Sequence, residues 1–238
     1  MRVFVILPAA GLGTRMGHPA STPKQFLSLH GMPILIHSLL AYAAVPEVTE
    51  MFVAVRKPEL DRFRAQVDDY GFSGKVRVVE GGDTRQESVA HALAAIDGGD
   101  EDIVLVHDAV RPLIDAATIA RTVDAVRKHG AAIVAMPAVD TIKQVQRTAD
   151  GAIVTATIPR EHIVLAQTPQ GFRCHILKRA FAEAAADGFQ GTDESSIVER
   201  AGIQVAVVMG TNANLKITHP DDLELAEFYL NKQGVPQL

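Results

Sequence analysis

Short, nearly continuous apolar segments recur along the chain and alternate with segments whose apolar residues lie three or four positions apart. Continuous apolar runs that are rich in β-branched residues are typical of strands buried on both faces of a sheet. The pattern therefore predicts strands at residues 3–7, 51–55, 76–79, 103–106, 131–135 and 205–208.

The segments between these runs carry apolar stripes with helical spacing. The stripes are Ile34, Leu35, Leu39, Tyr42 and Ala43; Leu60, Phe63 and Val67; Val89, Leu93 and Ile96; and Ile119, Val123 and Val126. Thr84 and Glu87 have the spacing of a capping box at the start of the third helix. Alternating strands and helices predict an α/β fold, with a doubly wound, mainly parallel sheet and helices on both faces.

The alternation breaks between residues 140 and 160. Two β-like segments, 141–146 and 152–158, flank the dipeptide Asp150-Gly151, which is a strong hairpin turn signal. An inserted hairpin does not easily join the core of a sheet, and a projecting two-stranded ribbon is marginally stable unless something packs on it. We predict that residues 140–160 form a β-hairpin arm that packs on a second copy of the chain and gives a homodimer.

The composition limits the partners that this fold can serve. The 238 residues carry a formal net charge of −5, whereas a protein that binds nucleic acid is more often basic, so we expect no nucleic-acid partner. A site for a highly charged anion must then draw its cations from local side chains. The length suits one domain over residues 1–238.

The single cysteine, Cys174, excludes a disulfide within the chain and suits a reducing compartment. We expect it to be a packed small residue in a helix. The apolar run at residues 3–7 is too short for a signal peptide or a membrane span. We therefore expect a soluble, cytoplasmic protein with no membrane partner.

The turn after the first predicted strand has the composition of a phosphate-binding loop. Gly11 and Gly13 match the dinucleotide fingerprint G-x-G-x-x-G, but Met16 stands in the third glycine position. The Walker A pattern is absent from this loop as well. What remains is a turn of small residues with two cations, Arg15 and Lys24, which suit a highly charged anion.

Several longer segments extend this signal along the chain. They are PAAGLGTRM (8–16), PKQFL (23–27), VEGGDTRQESV (79–89), VLVHDAVRP (104–112), DTIK (140–143), AQTPQGF (166–172), GTDESS (191–196) and NLKITHPDDLELAEFYL (214–230). In this order they resemble the motifs of the Rossmann-like nucleotidyltransferases that activate sugar and polyol phosphates. The resemblance is greatest to the 2-C-methyl-D-erythritol 4-phosphate cytidylyltransferases of the non-mevalonate isoprenoid pathway, and it spans nearly the whole chain.

The resemblance implies transfer of the cytidylyl group of CTP to 2-C-methyl-D-erythritol 4-phosphate. The products are 4-diphosphocytidyl-2-C-methyl-D-erythritol and pyrophosphate, and the substrate phosphate attacks the α-phosphorus in line. Both reactants are anions, so positioning and charge neutralisation should supply most of the catalysis. The implied catalytic residues are Arg15, Lys24 and Lys216 around the α-phosphate and the leaving pyrophosphate, together with Arg160, which reaches the neighbouring subunit's site.

The resemblance also assigns the binding residues. The CTP-binding set is Pro8, Ala9, Ala10, Gly11, Gly13, Gly81, Gly82, Asp83 and Ser88, of which the last four form the pocket for the cytosine edge. The substrate-binding set is Asp108, Arg111, Thr141, Thr168 and Thr192. Mg²⁺ is the expected cofactor, held mainly by phosphate oxygens, with Asp108 at a strand end as a candidate ligand. The polar segment at residues 16–23 is a candidate lid.

Two alternatives remain at this stage. A ribitol 5-phosphate cytidylyltransferase would share the CTP loop, although the region of Arg160, Thr168 and Thr192 favours methylerythritol phosphate. A non-catalytic nucleotide-binding subunit of the same fold is the other alternative, and the cations Arg15, Lys24 and Lys216 speak against it. Because the given sequence stops at Leu238, soon after the last predicted helix, we expect no fused cyclodiphosphate synthase domain.

Overall fold

A seven-stranded sheet forms the centre of the computed structural model, which describes residues 1–11 and 23–232. The order across the sheet is β11-β7-β10-β6-β1-β4-β5, and β10 runs antiparallel to both of its neighbours while the other pairs are parallel. In chain order the strands are β1 (Val3–Pro8), β2 (Ser28–Leu29), β3 (Met32–Pro33), β4 (Val48–Val55), β5 (Val76–Glu80), β6 (Ile103–Val106), β7 (Ala131–Pro137), β8 (Ile142–Thr148), β9 (Gly151–Ile158), β10 (Val164–Arg173) and β11 (Ala206–Met209).

Helices cover both faces of this sheet. They are α1 (Ile34–Ala43), α2 (Leu60–Asp69), α3 (Arg85–Ala94), α4 (Ala116–His129), α5 (Cys174–Ala186), α6 (Glu194–Arg200) and α7 (Pro220–Lys232). Alternate residues of β1 point to opposite faces, so Val5 joins a core with α1, α2 and α4, whereas Phe4 joins a core with α3, α5 and α6. The predicted doubly wound α/β fold is therefore confirmed. Within the described ranges, no helix has the length and apolar character needed to cross a membrane.

All six predicted strands are present, with β11 beginning one residue later than expected. The four predicted helical stripes lie on α1 to α4, and Thr84 and Glu87 form the expected capping box of α3. Cys174 is buried at the start of α5. The antiparallel strand β10 was not predicted, because its sequence VLAQTPQGFR has a polar middle that contains a proline.

The segment 140–160 forms the expected hairpin, in which β8 and β9 pair with each other as a separate two-stranded sheet. Most of its residues are exposed, and these include the apolar side chains of Val145, Ile153 and Val154. The ribbon therefore projects from the core of the chain, and its apolar side chains are left facing outwards.

The start of α7 brings Lys216 to the sheet. The Ile217 N–H donates to the Val110 carbonyl at 2.9 Å, and the Ile217 side chain is buried. The Asp222 carboxylate accepts hydrogen bonds from the backbone N–H groups of Thr218 and His219, at 2.7 and 2.8 Å. Asp222 thus caps the start of α7 and fixes the turn that carries Lys216.

A buried histidine ties the end of β6 to β10. His107 Nε2 lies 3.0 Å from the Arg111 carbonyl oxygen, which can only accept, so Nε2 carries the proton. Burial lowers the pKa of His107 to about 4, so the ring is neutral and its Nδ1 accepts from Thr168 Oγ1 at 2.9 Å. The same Thr168 oxygen accepts the Asp108 N–H at 3.0 Å. Thr168 lies where the pairing of β10 with β7 is interrupted, and it fixes the Asp108 backbone at the sheet edge.

This arrangement predicts that acid destabilises the fold through His107. The pKa of His107 is about 4 in the folded state, whereas an unperturbed histidine has a pKa of about 6.5, so the unfolded chain binds the proton first as the pH falls. Stability should therefore decrease as the pH falls through this window, by about 2 kcal/mol between pH 7 and pH 4.5. Urea unfolding across this range measures the change.

The variant His107→Gln is the control for the other titrating groups, which remain in both proteins. The free energy of unfolding of His107→Gln should lack this part of the pH dependence. The difference in free energy of unfolding between wild type and this variant should therefore narrow as the pH falls. A gap that stays constant from pH 7 to pH 4.5 would contradict a buried neutral His107.

Candidate active site

Three loops meet at the carboxyl edge of the parallel strands and enclose one cavity. Residues 8–11 follow β1, residues 82–85 follow β5 and residues 108–110 follow β6. Lys24, Gln25, Ser88 and Lys216 complete the lining. Carboxyl edges of open α/β sheets are where ligands bind, because loops from neighbouring strands converge there. The sheet thus brings together most of the CTP-binding residues that the sequence predicts.

The first loop is held in place by backbone hydrogen bonds. The Ala9 N–H donates to the Ala54 carbonyl at 2.7 Å, and buried Gln25 donates from Nε2 to the Ala9 carbonyl at 2.5 Å. The strand pairing thus continues past the end of β1, and the loop stays at the cavity wall. Arg15 and Gly13 lie outside the described residues, as does the candidate lid except for Pro23.

The second loop needs glycine at two consecutive positions. A Cβ atom at Gly81 would lie 2.6 Å from the Ala10 Cβ, and one at Gly82 would lie 2.3 Å from the Glu87 Cβ. The Gly82 N–H donates to Ser88 Oγ at 3.1 Å, and Ser88 in turn donates to the Thr84 carbonyl at 2.9 Å. Ser88 therefore acts inside the loop and holds it against the first loop, while Gly82 and its neighbour Asp83 face the cavity.

The Asp108 carboxylate is the electrostatic centre of the site. It lies 2.8 Å from Lys216 Nζ, 3.2 Å from Arg85 Nη2 and 3.5 Å from Arg111 Nε. Burial alone would raise its pKa, but Arg85, Lys216 and Arg111 outweigh burial and hold the pKa of Asp108 well below its ordinary value. Asp108 is therefore ionised, and it orients three cations around one corner of the cavity.

The two described lysines of the predicted catalytic set approach the cavity from opposite ends of the chain. Lys24 Nζ donates to the Ile217 carbonyl at 3.1 Å, so it lies beside the segment that carries Lys216. Both lysines line the cavity. One cavity therefore receives an ammonium group from the N-terminal region and another from the turn that precedes α7.

The predicted substrate-binding residues divide into two groups. Asp108 lines the cavity, whereas Arg111 and Thr168 are buried beside it, with Arg111 donating from Nη1 to the Asn214 carbonyl at 2.7 Å. The others, Thr141 and Thr192, are exposed and do not line the cavity of this single chain, and the same holds for Arg160 of the predicted catalytic set.

Two charged residues of the site carried no role in the sequence prediction. Arg85 lines the cavity and makes a bidentate ion pair with Glu194, with Nη1–Oε1 and Nη2–Oε2 distances of 2.5 and 2.9 Å. Both lie inside motifs that carry the resemblance, TRQES and GTDESS, but each reads as an ordinary first helical residue after a cap. Their partners are distant in sequence, so spacing gives no signal for the pair.

The chemistry of the donor set bears on the expected Mg²⁺. Among the described residues, no group of three or more His, Cys, Asp or Glu side chains is placed to hold a metal ion. The Asp108 oxygens already contact Arg85, Lys216 and Arg111, which compete with a cation for them. These side chains do not form a protein metal site.

Comparison with known proteins agrees with the geometry. Residues 3–232 match the family model described as IspD: 2-C-methyl-D-erythritol 4-phosphate cytidylyltransferase. A protein of that name from Acidobacterium capsulatum is 68% identical over 237 residues, which cover 98% of this chain and 99% of that protein. Its counterpart from Solibacter usitatus is 50% identical over 239 residues and covers 98% of each chain.

Solved structures give the same result. The 4-diphosphocytidyl-2C-methyl-D-erythritol synthase of Anaerococcus prevotii matches with a TM-score of 0.82 at 31% identity, over 97% of this chain and 96% of that one. The 2-C-methyl-D-erythritol 4-phosphate cytidylyltransferase of Francisella tularensis matches with a TM-score of 0.80 at 36% identity, over 96% and 99% of the two chains. The chain therefore belongs to the 2-C-methyl-D-erythritol 4-phosphate cytidylyltransferase family.

Proposed function

We propose that the cavity at the carboxyl edge of the sheet binds CTP, and that Lys24 and Lys216 stabilise the charge that develops during cytidylyl transfer to 2-C-methyl-D-erythritol 4-phosphate. Membership of the family makes the chain a cytidylyltransferase. The observation that carries the assignment of roles is the convergence of Lys24, Lys216 and Arg85 on one cavity, in a chain whose overall charge is −5. Local cations here replace the global field that the chain lacks.

The reaction in this cavity joins two anions. An oxygen of the methylerythritol phosphate forms a bond to the α-phosphorus of CTP, and the bond from that phosphorus to the bridging oxygen breaks. The electron pair leaves with pyrophosphate. The attacking phosphate is already ionised near neutral pH, so the protein has to align the reactants and neutralise charge. Lys24 and Lys216 suit the α-phosphate and the leaving group, and Arg15 is proposed to join them.

The second loop supports selection of the base. The N–H groups of Gly81 and Gly82 are donated inside the protein, to the Val55 carbonyl at 2.8 Å and to Ser88 Oγ at 3.1 Å. A base at this loop therefore meets mainly acceptors, among them the Asp83 carboxylate. Cytosine offers an amino group where uracil has a carbonyl, and a rigid acceptor set discriminates strongly between them. We assign the cytosine edge to this loop.

The proposal includes a divalent cation that arrives with the nucleotide. Phosphate oxygens are the preferred ligands of Mg²⁺ in sites that lack a protein cage. Such an ion would screen the triphosphate charge, while Lys24 and Lys216 act from the protein side. Asp108 is assigned to orienting Lys216, which it contacts together with Arg85 and Arg111, so we do not propose it as a metal ligand.

The arm supports a site that is completed by a second copy of the chain. Arg160 lies two residues after the end of β9, is exposed, and donates from Nη1 to the Val139 carbonyl at 2.5 Å, which fixes it to the base of the arm. Thr141 lies at the other strand of that base and is also exposed. We propose that the chain is one catalytic domain, that the arms of two copies pack together, and that each copy's Arg160 reaches the methylerythritol phosphate bound by the other.

Pyrophosphate release tests the substrate assignment. We expect rapid release from CTP with 2-C-methyl-D-erythritol 4-phosphate. Release should be much slower when UTP replaces CTP, or when ribitol 5-phosphate replaces 2-C-methyl-D-erythritol 4-phosphate. Equal rates with the two alcohol phosphates would favour the ribitol alternative, and no release with any pair would favour a non-catalytic nucleotide-binding subunit.

Lys24→Ala should lower kcat about 100- to 1,000-fold, because it removes one preorganised donor to the transition-state charge. The fold should be intact, since this side chain lies at the rim of the cavity. Steady-state pyrophosphate release gives kcat, and circular dichroism reports the fold. Lys128→Ala is the matched control, because Lys128 is an exposed lysine at the end of α4. Equal kcat values for the two variants would refute the role of Lys24.

Sharing of the site between subunits makes a quantitative prediction. Lys24→Ala and Arg160→Ala should each be nearly inactive alone. Co-expressed with two separable affinity tags, they should yield heterodimers in which one site has both native residues and the other has neither, so the heterodimers recover about half of wild-type activity. If Arg160 served its own subunit, every site would carry one defect and the purified heterodimers would stay inactive.

A further inference from the structure

The Arg85–Glu194 ion pair joins two helix starts that lie 109 residues apart in the sequence. Arg85 is the first residue of α3 and Glu194 the first residue of α6. The Glu194 side chain is 1% exposed and that of Arg85 is 32% exposed. A carboxylate buried this deeply needs a matching charge, and the planar guanidinium provides two parallel hydrogen bonds to it.

The same guanidinium also holds Asp108. Arg85 Nε donates to Asp108 Oδ1 at 3.2 Å, and Nη2 approaches that oxygen at 3.2 Å. The other oxygen, Oδ2, faces Lys216 Nζ at 2.8 Å. Arg85 thus contacts one oxygen of the carboxylate, and the other oxygen is left to Lys216 and to Arg111, whose Nε lies 3.5 Å away. The guanidinium of Arg85 donates hydrogen bonds to the carboxylates of Asp108 and Glu194, so this side chain acts as a brace between them.

Glu194 is itself rigidly placed. Asp193, the residue before it, caps α6 by accepting the Ser196 N–H at 2.9 Å, and it also accepts from Gln170 Nε2 at 2.7 Å. Gln170 is buried in β10, so the start of α6 is fixed to the central sheet. The position of Glu194 is therefore set by the fold, and Arg85 transmits that position to Asp108.

We infer that Arg85 and Glu194 are positioning residues that hold Asp108, and through it Lys216, in the geometry needed for cytidylyl transfer. The inference rests on the proposed role of Lys216 in that reaction. Without the brace, Asp108 keeps only the contacts of Oδ2 with Lys216 and Arg111, so Oδ1 is no longer held and the ammonium group that Asp108 orients shifts away from the reacting phosphorus. Displacements of about 1 Å at such a group cost roughly 100-fold in rate.

Two variants, Arg85→Gln and its combination with Glu194→Gln, separate positioning from stability. Arg85→Gln leaves a buried, unpaired Glu194 and should lower both Tm and kcat, the latter about 10- to 100-fold. Combining it with Glu194→Gln removes both charges, so Tm should return to within about 4 °C of wild type. The turnover of this double variant should nevertheless stay at least 10-fold below wild type, because the brace is still absent. A double variant with wild-type turnover would overturn the inference, since the pair would then serve stability alone.

A conservative variant keeps the test decisive if Arg85→Gln does not fold. Arg85→Lys retains the charge but offers a single ammonium group, which cannot bridge the two carboxylates as the fork does. Its kcat should fall while its Tm stays near that of wild type. Arg64→Gln is the matched control, because Arg64 pairs with Asp61 on the exposed surface of α2. Wild-type kcat in Arg85→Lys would count against positioning by Arg85.

A background lacking Lys216 tests whether the brace acts through this lysine. Arg85→Gln should reduce kcat much less in Lys216→Ala than in the wild-type background, because the group that it positions is already missing. Equal fold-reductions in the two backgrounds would contradict action through Lys216. A wild-type kcat in Lys216→Ala alone would instead refute the proposed role of Lys216, so the two failures are distinguishable.

Discussion

The site depends on one buried carboxylate. Asp108 stands at the end of β6 among Arg85, Arg111 and Lys216, and its low pKa reflects the attraction of these cations against the penalty of burial. Without this negative charge, three cations would repel one another at the same corner of the cavity. With it, they can be packed closely and still present a positive surface to a triphosphate. The wall that is proposed to receive the nucleotide is thus preorganised by an anion of the protein itself.

Much of the sheet could be predicted from the sequence, because strands buried on both faces leave continuous apolar runs such as residues 103–106. The antiparallel strand β10 could not be predicted, because its buried polar side chains form hydrogen bonds inside the protein. Gln170 accepts from the Ser195 N–H and donates to Asp193, and Thr168 bridges His107 and Asp108. Burial of polar residues that are satisfied only by distant parts of the chain leaves no periodic pattern in the sequence.

The candidate site likewise contains residues that local sequence signals predict and residues that they do not. The small residues at 8–11 and the two lysines could be predicted, because a turn after a strand and motif resemblance are local signals. The pair of Arg85 and Glu194 could not, because each is the first residue of a capped helix and their contact exists only after α3 and α6 are packed on the same face. Thr168 illustrates a further case, in which a residue expected at the substrate has its hydroxyl bonded within the protein.

The contact of Lys24 with the Ile217 carbonyl brings the two ends of the described chain to one place. Contributions to the cavity come from the first strand, the middle of the sheet and the turn before the last helix. During synthesis on the ribosome, strands and helices of the N-terminal half can form early. The cavity has all of its cations only after the turn at residue 216 has emerged. An unfinished chain that stops upstream of this turn lacks Lys216 and the carbonyl that Lys24 contacts, so the proposed nucleotide site is completed only at the end of synthesis.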